Sequence, residues 1–215
     1  MTGKQHVRTG PLVVIALGFL VGLAAYWRIP LDPRDNRPFF RIEIAFALPL
    51  ATLILYLLFR SLWRHDRVRT GNGAFEATYY AIVFRTMVFV FAMHALLMLA
   101  LTDVMDVIGT HTWGKRVVVI MLGLAIMAIG NLLPRTRPNI AFGLRTDRTL
   151  ANPQLWQQVH RVGGYAAVAL GAVILTMGVL AANQNLAGAL VLPGAGLAAG
   201  IVYLSYRRYV LTLSR

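Results

Sequence analysis

The sequence predicts an all-α, polytopic membrane protein with six transmembrane helices and both termini cytoplasmic. Three observations predict it. Of 215 residues, 58% are hydrophobic and only 13% charged, where a soluble domain carries about a quarter charged residues. Apolar runs long enough to cross a bilayer, about 20 residues each, recur along the chain. Lys and Arg concentrate on alternate connections, as the positive-inside rule requires. A net charge of +13 would suggest nucleic acid in a soluble protein. Here the basic residues lie in loops and tails, so the lipid bilayer is the expected partner and direct nucleic-acid binding is not. Backbone groups in lipid must bond within their own segment, which makes the runs helices. Barrel strands are half as long and alternate in polarity.

The elements follow in order, as one integral membrane domain over 1–215. Helix 1 spans 11–29. Lys4 and Arg8 before PLVVIALGFLVGLAA imitate a signal peptide, with Gly22 and Ala24 as a weak cleavage site. Tyr26 and Trp27 suit instead an interfacial belt ending a retained helix. Helix 2 spans 43–62 and helix 3 spans 79–101. Arg85 in helix 3 has two readings: it snorkels to the cytoplasmic interface, or it faces inward toward Asn131 and His160. His94, near mid-helix, reads as a neutral, hydrogen-bonded core histidine. Helix 4 spans 116–133, helix 5 spans 153–182 and helix 6 spans 186–205, the last two joined by little more than Asn183, Gln184 and Asn185.

Positive charge orients the bundle. Lys4, Arg8, the Arg60 to Arg69 group, the arginines of 135–161 and Arg207, Arg208 and Arg215 all fall on the side of the N-terminus. Fewer fall opposite: Arg28, Arg34, Arg37, Arg41, Lys115 and Arg116, partly offset by Asp32, Asp35 and Glu43. This puts both termini and the 134–152 loop on the cytoplasmic side. Small residues recur at four-residue spacing: Gly18 and Gly22, Gly163, Ala167 and Gly171, Gly196 and Gly200. That spacing lets helices approach closely. It is read as packing within the bundle, with a homo-oligomer as the alternative.

Other chemistry finds little support. No carboxylate sits mid-membrane, which argues against a carboxylate proton relay. Asp103, Asp106 and His111 could form a weak outer cation site, but a wet interface is the reading adopted, and no metal is expected. No activated nucleophile, glycine-rich phosphate loop or dinucleotide fingerprint is present. No enzyme activity and no cofactor are therefore expected. With Cys 0, thiol chemistry is excluded.

The informative stretch is RTRPNIAFGLRTDRTL, 135–150. Arg-Pro and Asn-Pro steps disfavour helix before each proline, giving breaks at Arg137 and Asn152. Gly143 can take positive φ. Asn152 suits an N-cap and Pro153 the first helical position. Trp156, His160 and Gly163 share one face of the following helix. Arg side chains here are forked donors for carboxylates or phosphates. On composition alone, a loop that merely fixes topology is the preferred reading of the segment.

Residues 130–164, GNLLPRTRPNIAFGLRTDRTLANPQLWQQVHRVGG, resemble the signature segment of the SdpI family, membrane immunity and signalling proteins of the sporulation-delaying toxin type. The matching positions are Gly130, Asn131, Pro134, Pro138, Asn139, Gly143, Arg145, Thr146, Thr149, Leu150, Trp156, His160 and Gly164. Asp147 and Arg148 stand where the family often has Pro-Trp, and the outer WRIPLDPRDNRPFF segment lacks a His found in many members. The resemblance implies resistance to a membrane-active peptide toxin and docking of a cytosolic repressor on the basic loop. It makes Asn131, Pro138, Asn139, Gly143, Arg145, Thr146, Thr149, Trp156 and His160 the candidate binding residues. The alternative is a small transporter or lipid-handling protein that grips an anionic headgroup.

Overall fold

A computed structural model describes residues 2–30, 39–70, 75–102, 113–180 and 189–213. Among them there is helix, turn and loop but no strand. The helices are α1 (Thr2–Tyr26), α2 (Phe40–Thr70), α3 (Glu76–Leu101), α4 (Trp113–Gly130), a short α5 (Asp147–Ala151), α6 (Pro153–Leu180) and α7 (Val191–Leu213), with a 3-10 turn at Leu133–Arg135. Five of them, α1, α2, α3, α4 and α6, are long and apolar enough to cross a membrane. The sixth long helix, α7, is 23 residues long, with Arg207 and Arg208 near its end. The chain is a multi-pass, all-α membrane protein. The candidate cation site at Asp103, Asp106 and His111, and the connection at Asn183 to Asn185, lie outside the described residues.

Long helices consecutive in the chain run antiparallel. Gly22 of α1 meets Ala45 near the start of α2, while Gly18 meets Pro49 one turn further on. Tyr79 at the start of α3 donates to the Phe59 carbonyl late in α2, at 2.7 Å. Gly130 faces Gly164, and Gly123 faces Gly171, between α4 and α6. Gly163 of α6 lies beside Val202 of α7, and Gly194 beside Leu170. The start of α1, the ends of α2, α4 and α7, and the starts of α3 and α6 therefore share one end of the bundle. The 131–152 segment caps that same end.

The tightest seam joins α4 to α6. A Cβ on Gly171 would lie 2.7 Å from the Gly123 carbonyl oxygen, and one on Gly164 would lie 2.9 Å from that of Gly130. Only glycine permits such backbone approach, which replaces the missing hydrophobic drive between helices in lipid with close van der Waals contact. The four-residue spacing read from sequence found only part of this. Gly22 and Gly171 do sit at close approaches, but Gly18 and Gly163 make ordinary contacts, and Gly196 and Gly200 face open space. The expectation that this last pair packs inside the bundle is corrected: α7 turns that side away from α6.

Arginines complete several helix ends. The last carbonyls of a helix have no intrahelical partner, and a cation there also meets the negative end of the helix dipole. Arg85 donates to the Ala128 carbonyl at the end of α4, a partner that neither of its two sequence readings named. Arg116 donates to the Val179 carbonyl at the end of α6, 2.8 Å. Arg41 donates to the Ile29 carbonyl just beyond α1, 2.8 Å. His94 is buried, 1% exposed, as a core histidine should be. Its ring nitrogens are not hydrogen-bonded: the Gly18 backbone faces the ring but lies outside hydrogen-bonding geometry. Among the described residues the expected bond is not found.

Candidate functional site: a latched basic loop

The loop is built by local bonds that the sequence encodes residue by residue. After α4, Pro134 fits the 3-10 turn because its missing N–H is not needed there. Thr136 follows with its hydroxyl donating to the Leu133 carbonyl, 2.7 Å. Asn139, buried, ties the next turn to itself. Its amide donates to the Arg137 carbonyl (2.7 Å), and its oxygen accepts from the Ala141 and Phe142 N–H groups (2.9 and 2.8 Å). This is the asparagine side chain standing in for a backbone turn. Pro138 before it is half-buried.

The chain then crosses onto α6. Gly143 has φ +98°, and a Cβ there would lie 1.8 Å from His160 Nε2. Glycine is thus required twice, for the backbone conformation and for the approach of the imidazole. His160 fastens the loop through both ring nitrogens. Leu144 N–H donates to Nε2 at 3.2 Å, and Nδ1 lies 2.8 Å from the Trp156 carbonyl oxygen. A backbone N–H can only donate, so Nε2 is the acceptor and Nδ1 carries the proton. The ring of Trp156 stacks on that of His160, centroids 3.9 Å apart and planes at 14°. Trp156 is fully buried and its indole N–H donates to Thr136 Oγ1, 3.1 Å. Trp156 and His160 together thus clasp both ends of the loop.

Two caps finish the segment. Thr146 accepts from Thr149 N–H (3.2 Å) while Thr149 Oγ1 accepts from Thr146 N–H (2.9 Å). This is a reciprocal capping box at the start of α5, with Thr in the place usually held by Glu or Gln. Thr149 is buried and its hydroxyl also donates toward the Leu144 carbonyl, 2.8 Å. Thr146 Oγ1 lies 3.4 Å from the Tyr206 hydroxyl, reaching α7. Asn152 caps α6 by accepting from Gln154 and Leu155 N–H, 2.9 and 3.0 Å.

The sequence-derived candidates therefore divide in two. Asn139, Thr149, Trp156 and His160 are buried and hold the loop, with Gly143 giving them room and Thr146 capping. Arg145 is exposed and donates to the Ile140 carbonyl, which steadies its guanidinium at the surface. Asn131 is exposed before the 3-10 turn, and Arg85, on α3, stands apart from the latch and donates to the Ala128 carbonyl of α4. Arg135, Arg137, Arg148 and Arg161 of the same segment are also exposed. The arrangement is a rigid backbone that presents cationic forks.

Sequence reasoning missed Thr136, the acceptor for Trp156, and Phe142. The Phe142 ring packs on Phe59 and Tyr79 at 5.1 and 4.9 Å, anchoring the loop to the first half of the bundle. An aromatic residue in an otherwise basic loop was the available signal.

Residues 135–206 match the model of the SdpI/YfhL protein family. The SdpI-type resemblance is thereby shown. The matched SdpI/YfhL segment holds nearly the whole latch, from Thr136 through Trp156 and His160, and ends at Tyr206 on α7. No curated protein matches the chain, and no solved structure does.

Proposed function

We propose that this protein is an immunity and signalling protein of the SdpI type in the bacterial cytoplasmic membrane. In this reading it protects the cell from a membrane-active peptide toxin and holds a cytosolic repressor on the basic loop, with no catalytic step. Both termini and the loop face the cytosol. One observation carries the reading: the segment matched by the SdpI/YfhL family is also where a loop held by a network of side-chain hydrogen bonds displays Arg137, Arg145 and Arg148 at the surface. A loop needed only for charge would not require Asn139, Thr149, Trp156 and His160 to be buried as a bonded framework. Arg forks on a rigid base suit carboxylates of a protein partner.

The second reading, a small lipid-handling protein or transporter, draws on a different feature. An apolar cavity of about 260 Å³ lies between α6 and α7, lined by His160, Gly163, Ala166, Ala199 and Val202 among others. The two readings separate in one experiment. A strain lacking the gene is challenged with peptide toxins from related cells and complemented with the wild type. Restored survival supports immunity. Survival that never depends on the gene, against any toxin, rejects it.

A further inference from the structure

A second cationic site, lined by none of the basic loop's residues, lies among α1, α2 and α3. Between α1, α2 and α3, at the end that carries the loop, is a cavity of about 220 Å³. Arg60 and Arg64, one helical turn apart on α2, line it together with Trp63, Tyr56, Tyr80 and Leu12. Both arginines are exposed. Trp63 is 2% exposed, and its indole N–H is buried without a hydrogen-bond partner among the described residues. A buried donor left without an acceptor costs about 1–3 kcal/mol, and native structures seldom leave one so. Among the described residues no carboxylate lines the cavity. The nearest acid in sequence, Asp66, is buried near Tyr79.

Its depth is set by the sequence. Leu12 opens the apolar run of α1, and the candidate span of α2 closes at Asp66. Trp63, Tyr56 and Tyr80 are the amphipathic rings expected where hydrocarbon gives way to headgroups. The cavity thus pairs cationic forks with an apolar lip at headgroup level, and Trp63, whose indole N–H is unsatisfied among the described residues, is part of its lining.

We propose that this cavity binds a phosphate group at headgroup depth. Arg60 and Arg64 hold the oxyanion, and Trp63 Nε1–H donates to it. Two sources share this chemistry, an anionic phospholipid and a soluble phosphomonoester. The site is separate from the basic loop and does not depend on the immunity reading.

Native mass spectrometry of the full chain in detergent tests it with dioctanoyl phosphatidylglycerol, dioctanoylglycerol (the same chains without phosphate) and glycerol 1-phosphate (phosphate without chains). Phosphatidylglycerol should bind and dioctanoylglycerol should not. Arg60→Gln/Arg64→Gln should weaken phosphatidylglycerol binding about tenfold or more, the typical loss for a charge-assisted bond. Trp63→Phe keeps the ring against Phe75 and Tyr79 and should weaken it roughly 2- to 10-fold, as for a neutral hydrogen bond. Arg207→Gln/Arg208→Gln removes two charges from the same end and should leave affinity unchanged. Glycerol 1-phosphate displacing the lipid assigns the site to a soluble anion, and failure to displace assigns it to the lipid. Equal binding of phosphatidylglycerol and dioctanoylglycerol would overturn the proposal. So would unchanged affinity in both Trp63→Phe and the Arg60/Arg64 variant.

Discussion

Gly143 and His160 form one unit, although 17 positions separate them in the chain (143 to 160, counted inclusively from neighbouring Leu144). A methyl group on Gly143 would collide with His160 Nε2 and strain a backbone at φ +98°. Strain of that kind alone costs about 1–3 kcal/mol. Gly143→Ala should therefore lower the melting temperature in detergent. His160→Ala removes the obstacle, so the double variant should lose less than the sum of the two singles, as contacting residues do. Additive losses would separate the two residues. Trp156→Ala should cost more, about 3–5 kcal/mol for a buried aromatic, with the Thr136 hydroxyl losing its donor. Much of this was legible. Spacing put Trp156 and His160 on one helical face, and Gly143 was marked for positive φ. The bonds to Thr136 and Leu144 were not legible, because side-chain spacing says nothing about which distant backbone a ring will meet.

At the scale of the elements, arginine does work that charge counting conceals. Arg41, Arg85 and Arg116 each donate to a carbonyl at a helix end. The sequence reading assigned Arg41 and Arg116 to topology alone and left Arg85 between two positions. Arg85→Leu should destabilise the bundle by about 1.5–3 kcal/mol, the usual worth of a hydrogen bond from a charged group. Unchanged melting would mean that the Ala128 carbonyl does not need it. The α4–α6 seam makes a second case. Gly164, Gly171 and Gly178 recur every seven residues on α6, opposite Gly123 and Gly130 on α4. Four-residue spacing directed attention to Gly196 and Gly200, which face open space. Length and hydropathy located the long helices. Which glycines touch depends on how the helices are rotated, and no single helix records that. Gly171→Val should therefore disrupt the bundle, whereas Gly196→Val should be nearly silent in melting.

For the whole molecule, the arrangement brings both chain ends, the Arg60 and Arg64 cavity and the latched loop to one end of the bundle. We propose from the positive-inside rule that this end is cytoplasmic. A cytoplasm-active reporter fused after Arg215 should report and a periplasm-active one should stay silent; the opposite pattern would put the loop outside. The central claim is that the loop is a recognition surface and not merely an orienting charge. Orientation counts Lys and Arg together, while a forked contact to a carboxylate distinguishes them. The most direct test is survival under toxin challenge of a deletion strain carrying Arg145→Lys, with Arg135→Lys as control and with expression and orientation verified. The account predicts that Arg145→Lys is made and oriented normally yet loses most protection, about 10-fold or more if one charge-assisted bond is lost, while Arg135→Lys protects fully. Full protection by Arg145→Lys at normal expression would contradict it.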